Sequence, residues 1–388
     1  MRRLEDDAMP APLEACSPTP RTGTPRRWWP ALLLVCLLPA PLLAQDDDAA
    51  QAGVGFAQIE VTDPIRGGQM PGYVFYPSPA RAGSPTRVGP YEVEGVRDAP
   101  ARPGTRPMVL LSHGHAGSNL GHHDLATYLA GHGFVVAAIA HSGDDYRDAS
   151  FDGHPEVLGG RPVQVSATID ALLRDPRWKP LIDADRIGVA GFSNGGYTSL
   201  LLVGAVPSLR RFVDYCRRYP GDRLCAGAKD VEAEAERQGQ TPEQYMDAMQ
   251  ARLTHWGKTS DPRVKAAFAM APLSLVFDAD GLAGIDRPVF LYYSERDTVL
   301  RPSENAARIR PLLKTLAGVR TVPRADHWVF IPPCTRELAE VVAEICSDPP
   351  GVDRARTHAR INADALAFFR KTLAPTTDAP AATKSGQP

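Results

Sequence analysis

The sequence predicts an α/β fold with a mainly parallel central sheet flanked by helices. From residue 107 onward, short apolar runs alternate with segments of helical periodicity. Strands that alternate with helices form parallel sheets, because each helix carries the chain back to the start of the next strand. One apolar run leads directly into Gly191-Phe-Ser-Asn-Gly195 and then into a helix without charged residues. A hydrophobic fraction of 43% in 388 residues is sufficient for a large core.

Individual elements follow from local patterns. Residues 56–61 alternate apolar and polar side chains, as in a half-exposed strand, and residues 73–76 are the expected hairpin partner. Further strands are predicted at 108–111, 134–140, 187–191, 264–270, 289–293 and 319–322. Helices are predicted at 123–130, 165–173, 194–206, 303–313 and 353–373. Residues 77–106 are rich in Pro, Gly and Arg and are expected to form a surface loop.

The first 44 residues have the pattern of a cleaved secretory signal. Arg26 and Arg27 precede a short apolar run at 31–38, and Ala44 lies just before an acidic stretch. The run is short and flanked by prolines, so no stable membrane span is expected after cleavage, although an uncleaved anchor is the alternative. The prediction is a periplasmic or secreted protein with a catalytic domain at 45–372 and a disordered tail at 373–388.

Cysteine usage agrees with export. Two cysteines lie in the signal, and four follow in two close pairs: Cys216, Cys225, Cys334 and Cys346. An even number of closely spaced cysteines in an exported chain predicts two local disulfides. Four unlinked buried thiols are the alternative.

A highly charged insertion at 207–262 interrupts the alternation of strands and helices. It contains one clear helix start, with Thr241 as the cap, Pro242 at the first position and Gln244 closing a capping box. Its place after the turn at 191–195 predicts a helical lid above the carboxyl edge of the sheet. A surface insertion without a role in the site is the alternative.

Ser193 is the predicted nucleophile. The G-x-S-x-G pattern lies between a strand and a helix, which is the context of the nucleophile turn in the α/β-hydrolase fold. The glycines on both sides of Ser193 permit a tight, strained turn that exposes the hydroxyl. The helix that follows directs its N-terminus toward the place where negative charge develops during acyl transfer.

A serine hydroxyl needs a base within hydrogen-bond reach, and in this fold the base follows the serine in sequence. His255, His327 and His358 are the candidates. His255 lies in the insertion, and His358 lies among arginines on a helix that is interpreted as solvated. His327 follows the last short strand, so it is the predicted base.

The predicted acid is Asp297, which comes just after the strand at 289–293 and thirty residues before His327. Such a carboxylate holds the imidazole in the required tautomer. Glu295, Asp278 and Asp326 are the alternatives, but Asp326 is too close to His327 in sequence to reach its imidazole edge easily.

Two backbone N–H groups are needed to bind the oxyanion. Asn194, the residue after the nucleophile, is one expected donor. The other is expected from the loop after the strand at 108–111, where His113-Gly114 permits close approach and the donor is His115. The side chain of His113 is expected to order this loop.

Several function classes have no support in the sequence. The net charge of −2 gives no electrostatic basis for nucleic-acid binding. The chain has no Walker motif, no G-x-G-x-x-G, no H-E-x-x-H and no paired C-x-x-C motif. No cofactor and no metal are expected, and the oligomeric state is left open.

Four motifs resemble those of exported bacterial esterases grouped with platelet-activating-factor acetylhydrolase and dienelactone hydrolase. The motifs are Leu111-Ser-His-Gly-His115, Gly191-Phe-Ser-Asn-Gly-Gly196, Ser294-Glu-Arg-Asp297 and Asp326-His-Trp-Val-Phe-Ile-Pro-Pro-Cys334. The resemblance extends over roughly residues 53–372 and implies an α/β-hydrolase fold and ester hydrolysis. Two features differ from the group. The dienelactone hydrolases use a cysteine where this chain has Ser193, and the acetylhydrolases take their acid from a position that corresponds here to the vicinity of Ala271.

The expected function is hydrolysis of small carboxylic esters, with a preference for short acyl groups, through Ser193, His327 and Asp297. A peptidase or amidase that uses the same three residues is one alternative. A binding protein that has the fold without the activity is the other.

Overall fold

The structure is a computed structural model that describes residues 52–152, 154–225 and 230–375. The predicted signal at 1–44 and all but the first three residues of the predicted tail at 373–388 lie outside the described residues. In the described part of the chain, no helix is long and apolar enough to cross a membrane.

The strands of the described chain are β1 Gly53–Thr62, β2 Gln69–Ser78, β3 Thr86–Val88, β4 Tyr91–Val93, β5 Val96–Arg97, β6 Arg106–Ser112, β7 Val135–Ile139, β8 Ile182–Phe192, β9 Val264–Met270, β10 Val289–Ser294 and β11 Leu316–Val322. Nine of them form one sheet in the order β11-β10-β9-β8-β6-β7-β2-β1-β5. The strands from β11 to β7 are parallel to one another, whereas β2 pairs antiparallel with both β7 and β1. A mainly parallel sheet with an antiparallel hairpin at one side confirms the predicted fold class.

The helices are α1 His123–Gly131, α2 Pro155–Arg174, α3 Asn194–Leu202, α4 Leu209–Arg218, α5 Asp230–Arg237, α6 Pro242–Arg252, α7 Ala279–Ala283, α8 Ala306–Ile309, α9 Arg336–Val341, α10 Ala343–Cys346 and α11 Arg354–Thr372. Side chains alternate between the two faces of strand β8. Val189 lies in a core with Ile169 of α2. Ala190 lies in a second core with Leu129 of α1 and Phe369 of α11. Helices therefore cover both faces, as a parallel sheet requires.

Two sequence predictions were wrong in detail. Residues 77–106 are not a continuous loop, because β3 and β4 form a hairpin around Gly89, whose φ of 56° suits a tight turn, and β5 pairs with β1. The helix predicted at 303–313 is shorter. It ends at Ile309 and continues as a 3-10 turn at Arg310–Leu312, because Pro311 has no N–H to donate to the helix.

The insertion at 207–262 contains α4, α5 and α6, and the predicted capping box of Thr241 and Gln244 is formed. It bonds to the segments that follow β9 and β10. Arg211 donates to the carbonyl of Leu275, and Tyr219 donates to Glu304. Both predicted disulfides are present: Cys216–Cys225 lies within the insertion, and Cys334–Cys346 follows the loop that carries His327.

Candidate active site

Ser193 lies at the tight turn between β8 and α3. Its φ is 56°, a conformation that non-glycine residues rarely adopt. The flanking glycines are required by space: a Cβ on Gly195 would overlap the carbonyl oxygen of Ser112, and a Cβ on Gly191 would overlap that of Gly195. The N–H of Ser193 donates to Met270 O at 2.9 Å, which ties the turn to the end of β9. Strand ends on both sides therefore hold a strained serine in place.

The structure brings the predicted acid and base together. His327 Nδ1 lies 2.8 Å from Asp297 Oδ2, and both side chains are only 1% exposed. The other carboxylate oxygen of Asp297 accepts from the N–H groups of Val299 and Leu300, at 3.0 and 2.6 Å. These bonds fix the orientation of the carboxylate, so that His327 donates to it through Nδ1–H and Nε2 lies on the side of the ring away from Asp297.

The alternative acids have other partners. Glu295 accepts from the N–H of Arg324 at 2.6 Å, and Asp278 caps α7 by accepting from the N–H of Gly281 at 2.7 Å. Neither carboxylate is hydrogen-bonded to His327 among the described residues. Asp297 is therefore the carboxylate that the fold pairs with this imidazole.

Asp326, the third alternative, binds backbone and hydroxyl groups instead of the imidazole. Its Oδ1 accepts from the N–H of His327 and from the N–H of Thr298, both at 2.7 Å, and its Oδ2 accepts from Thr298 Oγ1 at 2.8 Å. Thr298 is next to Asp297, so Asp326 fastens the acid loop to the turn that begins at His327. Sequence reasoning missed this role, although an aspartate just before a short helical turn is a recognisable capping signal.

The hydroxyl of Ser193 makes no hydrogen bond to His327 or to any other residue that the structure describes. The imidazole instead lies against the ring of Phe192, the residue before Ser193, at 4.7 Å between centroids. The hydrogen bonds between catalytic groups are often long in enzymes without substrate and tighten when it binds. The fold therefore places the imidazole against the residue before Ser193, without a hydrogen bond to the serine.

The predicted oxyanion donors have unoccupied N–H groups. Gly114 O accepts from His113 Nδ1 at 2.7 Å and from the N–H of Gly117 at 3.1 Å. Because C=O and N–H point in opposite directions across a trans peptide, these bonds aim the N–H of His115 away from that carbonyl. Among the described residues, neither this N–H nor that of Asn194 has a partner.

The side chain of His113 orders this loop, as expected. Its Nδ1–H binds Gly114 O, and its Nε2 accepts from the N–H of His141 at 3.0 Å. Burial and the nearby charge of Arg161 lower the pKa of His113 to about 3. The ring is therefore neutral at physiological pH, which its role as both donor and acceptor requires.

A buried arginine that sequence reasoning missed supports the same loop. Arg161 of α2 binds Asp144 Oδ2 at 3.2 Å and donates to the carbonyl of His113. Asp144 Oδ1 accepts from His115 Nδ1 at 2.6 Å and from the N–H of Ala116 at 2.9 Å. Burial raises the pKa of Asp144, but Arg161 and the hydrogen bonds outweigh it and lower the value to about 2. This ion pair fixes the backbone that carries the predicted donor.

The interpretation of His358 as a residue of a solvated helix was wrong. His358 is 5% exposed and shares the buried face of α11 with Ile361, Ala365 and Phe369. The spacing of three, four and four residues is the signal that could have revealed this face. His255 is exposed in the insertion, away from these contacts.

Within the described residues, no group of His, Cys, Asp or Glu side chains is arranged to hold a metal ion. No family model matches the chain. Its fold is similar to that of a ferulic acid esterase from Streptomyces cinnamoneus, with a TM-score of 0.53 and 21% sequence identity. The match covers 86% of this chain and 95% of the esterase. At this level of identity the similarity shows the fold, which is that of the α/β hydrolases.

Proposed function

We propose that the protein is a serine hydrolase that cleaves carboxylic esters, with Ser193 as nucleophile, His327 as base and Asp297 as the acid that orients it. The observation that carries this proposal is the buried His327–Asp297 pair, whose imidazole contacts Phe192, the residue before a serine in a strained turn. The similarity in fold to a protein described as a ferulic acid esterase also supports ester hydrolysis.

The proposed reaction has two steps. Ser193 Oγ attacks the carbonyl carbon while His327 Nε2 takes the hydroxyl proton, and the carbonyl electron pair moves to the oxygen. The N–H groups of His115 and Asn194 bind this oxyanion. The intermediate then collapses, and the departing alkoxide takes the proton from His327. In the second step, water deprotonated by His327 attacks the acyl-enzyme and releases the acid and Ser193.

Short acyl esters are the proposed substrates, and the insertion at 207–262 is the proposed lid. It bonds to residues that follow β9 and β10, at the sheet edge where the site lies. Its surface is highly charged, whereas enzymes that act at lipid surfaces expose broad apolar areas. Export to the periplasm or medium is part of this proposal, because both disulfides need an oxidising compartment. We also propose that the chain belongs to the acetylhydrolase and dienelactone hydrolase group, on the four motifs that resemble those of its members.

The first test is Ser193→Ala, assayed with p-nitrophenyl acetate, butyrate and octanoate and with an aminoacyl anilide. We expect kcat for the short esters to fall by about 10⁴ to 10⁶ with the fold intact, as for loss of a catalytic nucleophile. A phosphonate probe should label Ser193 in the wild type. Labelling of a different serine would refute the assignment.

The same substrates separate the alternatives. Faster turnover of the anilide than of the esters would indicate a peptidase, and no turnover of any of them would favour a binding protein. Faster hydrolysis of octanoate than of acetate or butyrate would contradict the proposed preference for short acyl groups.

A further inference from the structure

His358 connects three elements beneath the candidate site. Its Nδ1 lies 2.7 Å from Asp124 Oδ2 in the first turn of α1, and its Nε2 lies 3.0 Å from the carbonyl of Val329. Val329 belongs to the turn His327–Phe330, which begins with the proposed base. Helix α1 follows the loop that carries His115. One side chain of α11 is therefore bonded to the elements on both sides of the site.

Both ring nitrogens of His358 face groups that only accept. The carbonyl of Val329 has no proton to give. The Asp124 carboxyl is ionised, because the charge and hydrogen bond of His358 outweigh the effect of burial and hold its pKa well below the ordinary value. The ring therefore donates through Nε2–H to the carbonyl of Val329, while Nδ1 is held 2.7 Å from the carboxylate of Asp124.

Within the part of the chain that the structure describes, the His358 side chain has no hydrogen-bond partner besides Asp124 and Val329. His122 and His123 face it from the segment at the start of α1, and burial lowers the pKa of both, to about 4 for His122, so that they stay neutral. On its own helix, Arg354 is one turn away and is paired with another carboxylate at 2.8 Å. The position of the His358 ring is therefore set by its bonds to Asp124 and Val329.

We propose that His358 is a positioning residue for His327, an inference that rests on the proposed function. Its Nε2–H holds the carbonyl of Val329 and so fixes the turn that carries the base at its first residue. Without this bond the turn can shift relative to Ser193. A displacement of about 1 Å can cost about 100-fold in rate, because proton transfer depends steeply on geometry. Because this turn carries the group proposed to move the proton, we expect the effect to fall on kcat.

The test compares His358→Leu, His358→Gln and Asn362→Ala on p-nitrophenyl acetate, below the melting temperature of each variant. The leucine variant should lose about tenfold in kcat with KM changed less than about twofold, the pattern of a loss confined to the transition state. The glutamine variant keeps an N–H donor and should recover to within about threefold of wild-type kcat. If the leucine variant fails to fold, the glutamine variant still gives a kcat to compare with the wild type.

Asn362→Ala is the matched control. Asn362 lies one turn after His358, is 7% exposed and donates to the same Asp124 oxygen at 3.1 Å, but it has no bond to Val329. It should lower thermal stability and leave kcat within about twofold of wild type. An equal loss of kcat in the control, or wild-type kcat in both His358 variants, would overturn the inference. Ser193→Ala separates this failure from a failure of the proposed function. If Ser193→Ala remains active, the proposed function is wrong. If it is inactive, the proposed function stands and only the role of His358 is wrong.

Discussion

The two halves of the candidate site are held by different kinds of contact. We call residues 294–300 and 324–330 the base half, and residues 112–118 and 141–145 together with Arg161 the oxyanion half. In the base half, short loops bond directly to each other, with Asp326 joining Thr298 to His327. In the oxyanion half, a buried ion pair between Arg161 and Asp144 supports the loop at 112–118, and this loop is distant from both residues in sequence.

This difference predicts different consequences of mutation. The base half holds the groups that we propose move protons, so its disruption should act mainly on rate. The oxyanion half aims backbone N–H groups by means of buried charges, and an unpaired buried charge is costly. Its disruption should therefore act on stability as well as on rate. Four experiments test this contrast.

The largest effect is expected from Asp297→Asn in the base half. The amide cannot hold His327 in the tautomer with Nδ1–H, so kcat should fall by about 10⁴ with little loss of stability. Asp278→Asn is the control, because Asp278 is the alternative acid at the preceding strand and only caps α7. Asparagine caps a helix about as well as aspartate, so this variant should change stability by less than about 1 kcal/mol and leave kcat nearly unchanged. Steady-state kinetics and thermal melts distinguish the two, and the reverse order of effects on kcat would move the acid to Asp278.

Arg161→Met is the corresponding change in the oxyanion half. It removes the guanidinium from Asp144 Oδ2 and leaves this carboxylate buried with only His115 and the N–H of Ala116, so the free energy of unfolding should fall by about 3 to 5 kcal/mol. The remaining folded enzyme should also be slower, because the carbonyl of His113 loses its donor. Arg174→Met is the control on the same helix: the side chain of Arg174 is 74% exposed, and its removal should cost less than about 1 kcal/mol. Urea unfolding of both variants gives the measurement, and equal midpoints would contradict the contrast.

The contrast also explains what the sequence could predict. Asp297 and His327 follow neighbouring parallel strands, and the carboxyl ends of such strands meet at one edge, so their order in the chain was sufficient to pair them. The strand–turn–helix context of Ser193 was a similar local signal. Arg161 gave no such signal, because its partners Asp144 and His113 lie in loops that only the folded sheet brings under α2.

His358 shows a second limit of sequence reasoning. The arginines around it in the chain suggested a solvated helix, but charged neighbours lie on other faces when the apolar spacing is three or four residues. The sequence could have indicated its burial through Ile361 and Ala365. It could not have indicated the contact with Asp124, which is 234 residues away along the chain.

The disulfides give the next largest effect. Each closes a short loop, of nine residues for Cys216–Cys225 and twelve for Cys334–Cys346, and the chain-entropy model assigns about 3 kcal/mol to loops of this size. Paired Cys→Ser variants should therefore lose similar stability. Only loss of Cys334–Cys346, which follows the base half, should also lower kcat in assays well below the melting temperature. An equal loss of activity in the Cys216 and Cys225 variant would contradict this prediction. It would show that the reaction depends on the structure of the insertion as much as on the base half.

The smallest effect concerns acid sensitivity and His122, the residue before α1, whose ring lies 5.7 Å from that of Phe192 between centroids. Its Nε2 is buried without a partner, and burial lowers its pKa from 6.5 to about 4. Because the folded value is the lower one, the unfolded chain binds the extra proton first, and stability is lost as pH falls below about 6.5. The contribution of His115 to stability has the opposite pH dependence, since Asp144 raises its pKa, but it acts only above pH 6.5.

His122→Phe removes the unpartnered Nε2, so it should raise stability at pH 7 by about 1 kcal/mol. It should also flatten the decline of stability between pH 6.5 and 4.5, measured by urea midpoints. Asp144 does not confound this window, because its lowered pKa matters only near pH 4 and below. A decline as steep as that of the wild type would show that the proton enters elsewhere, at His113 or His141, whose pKa values burial also lowers.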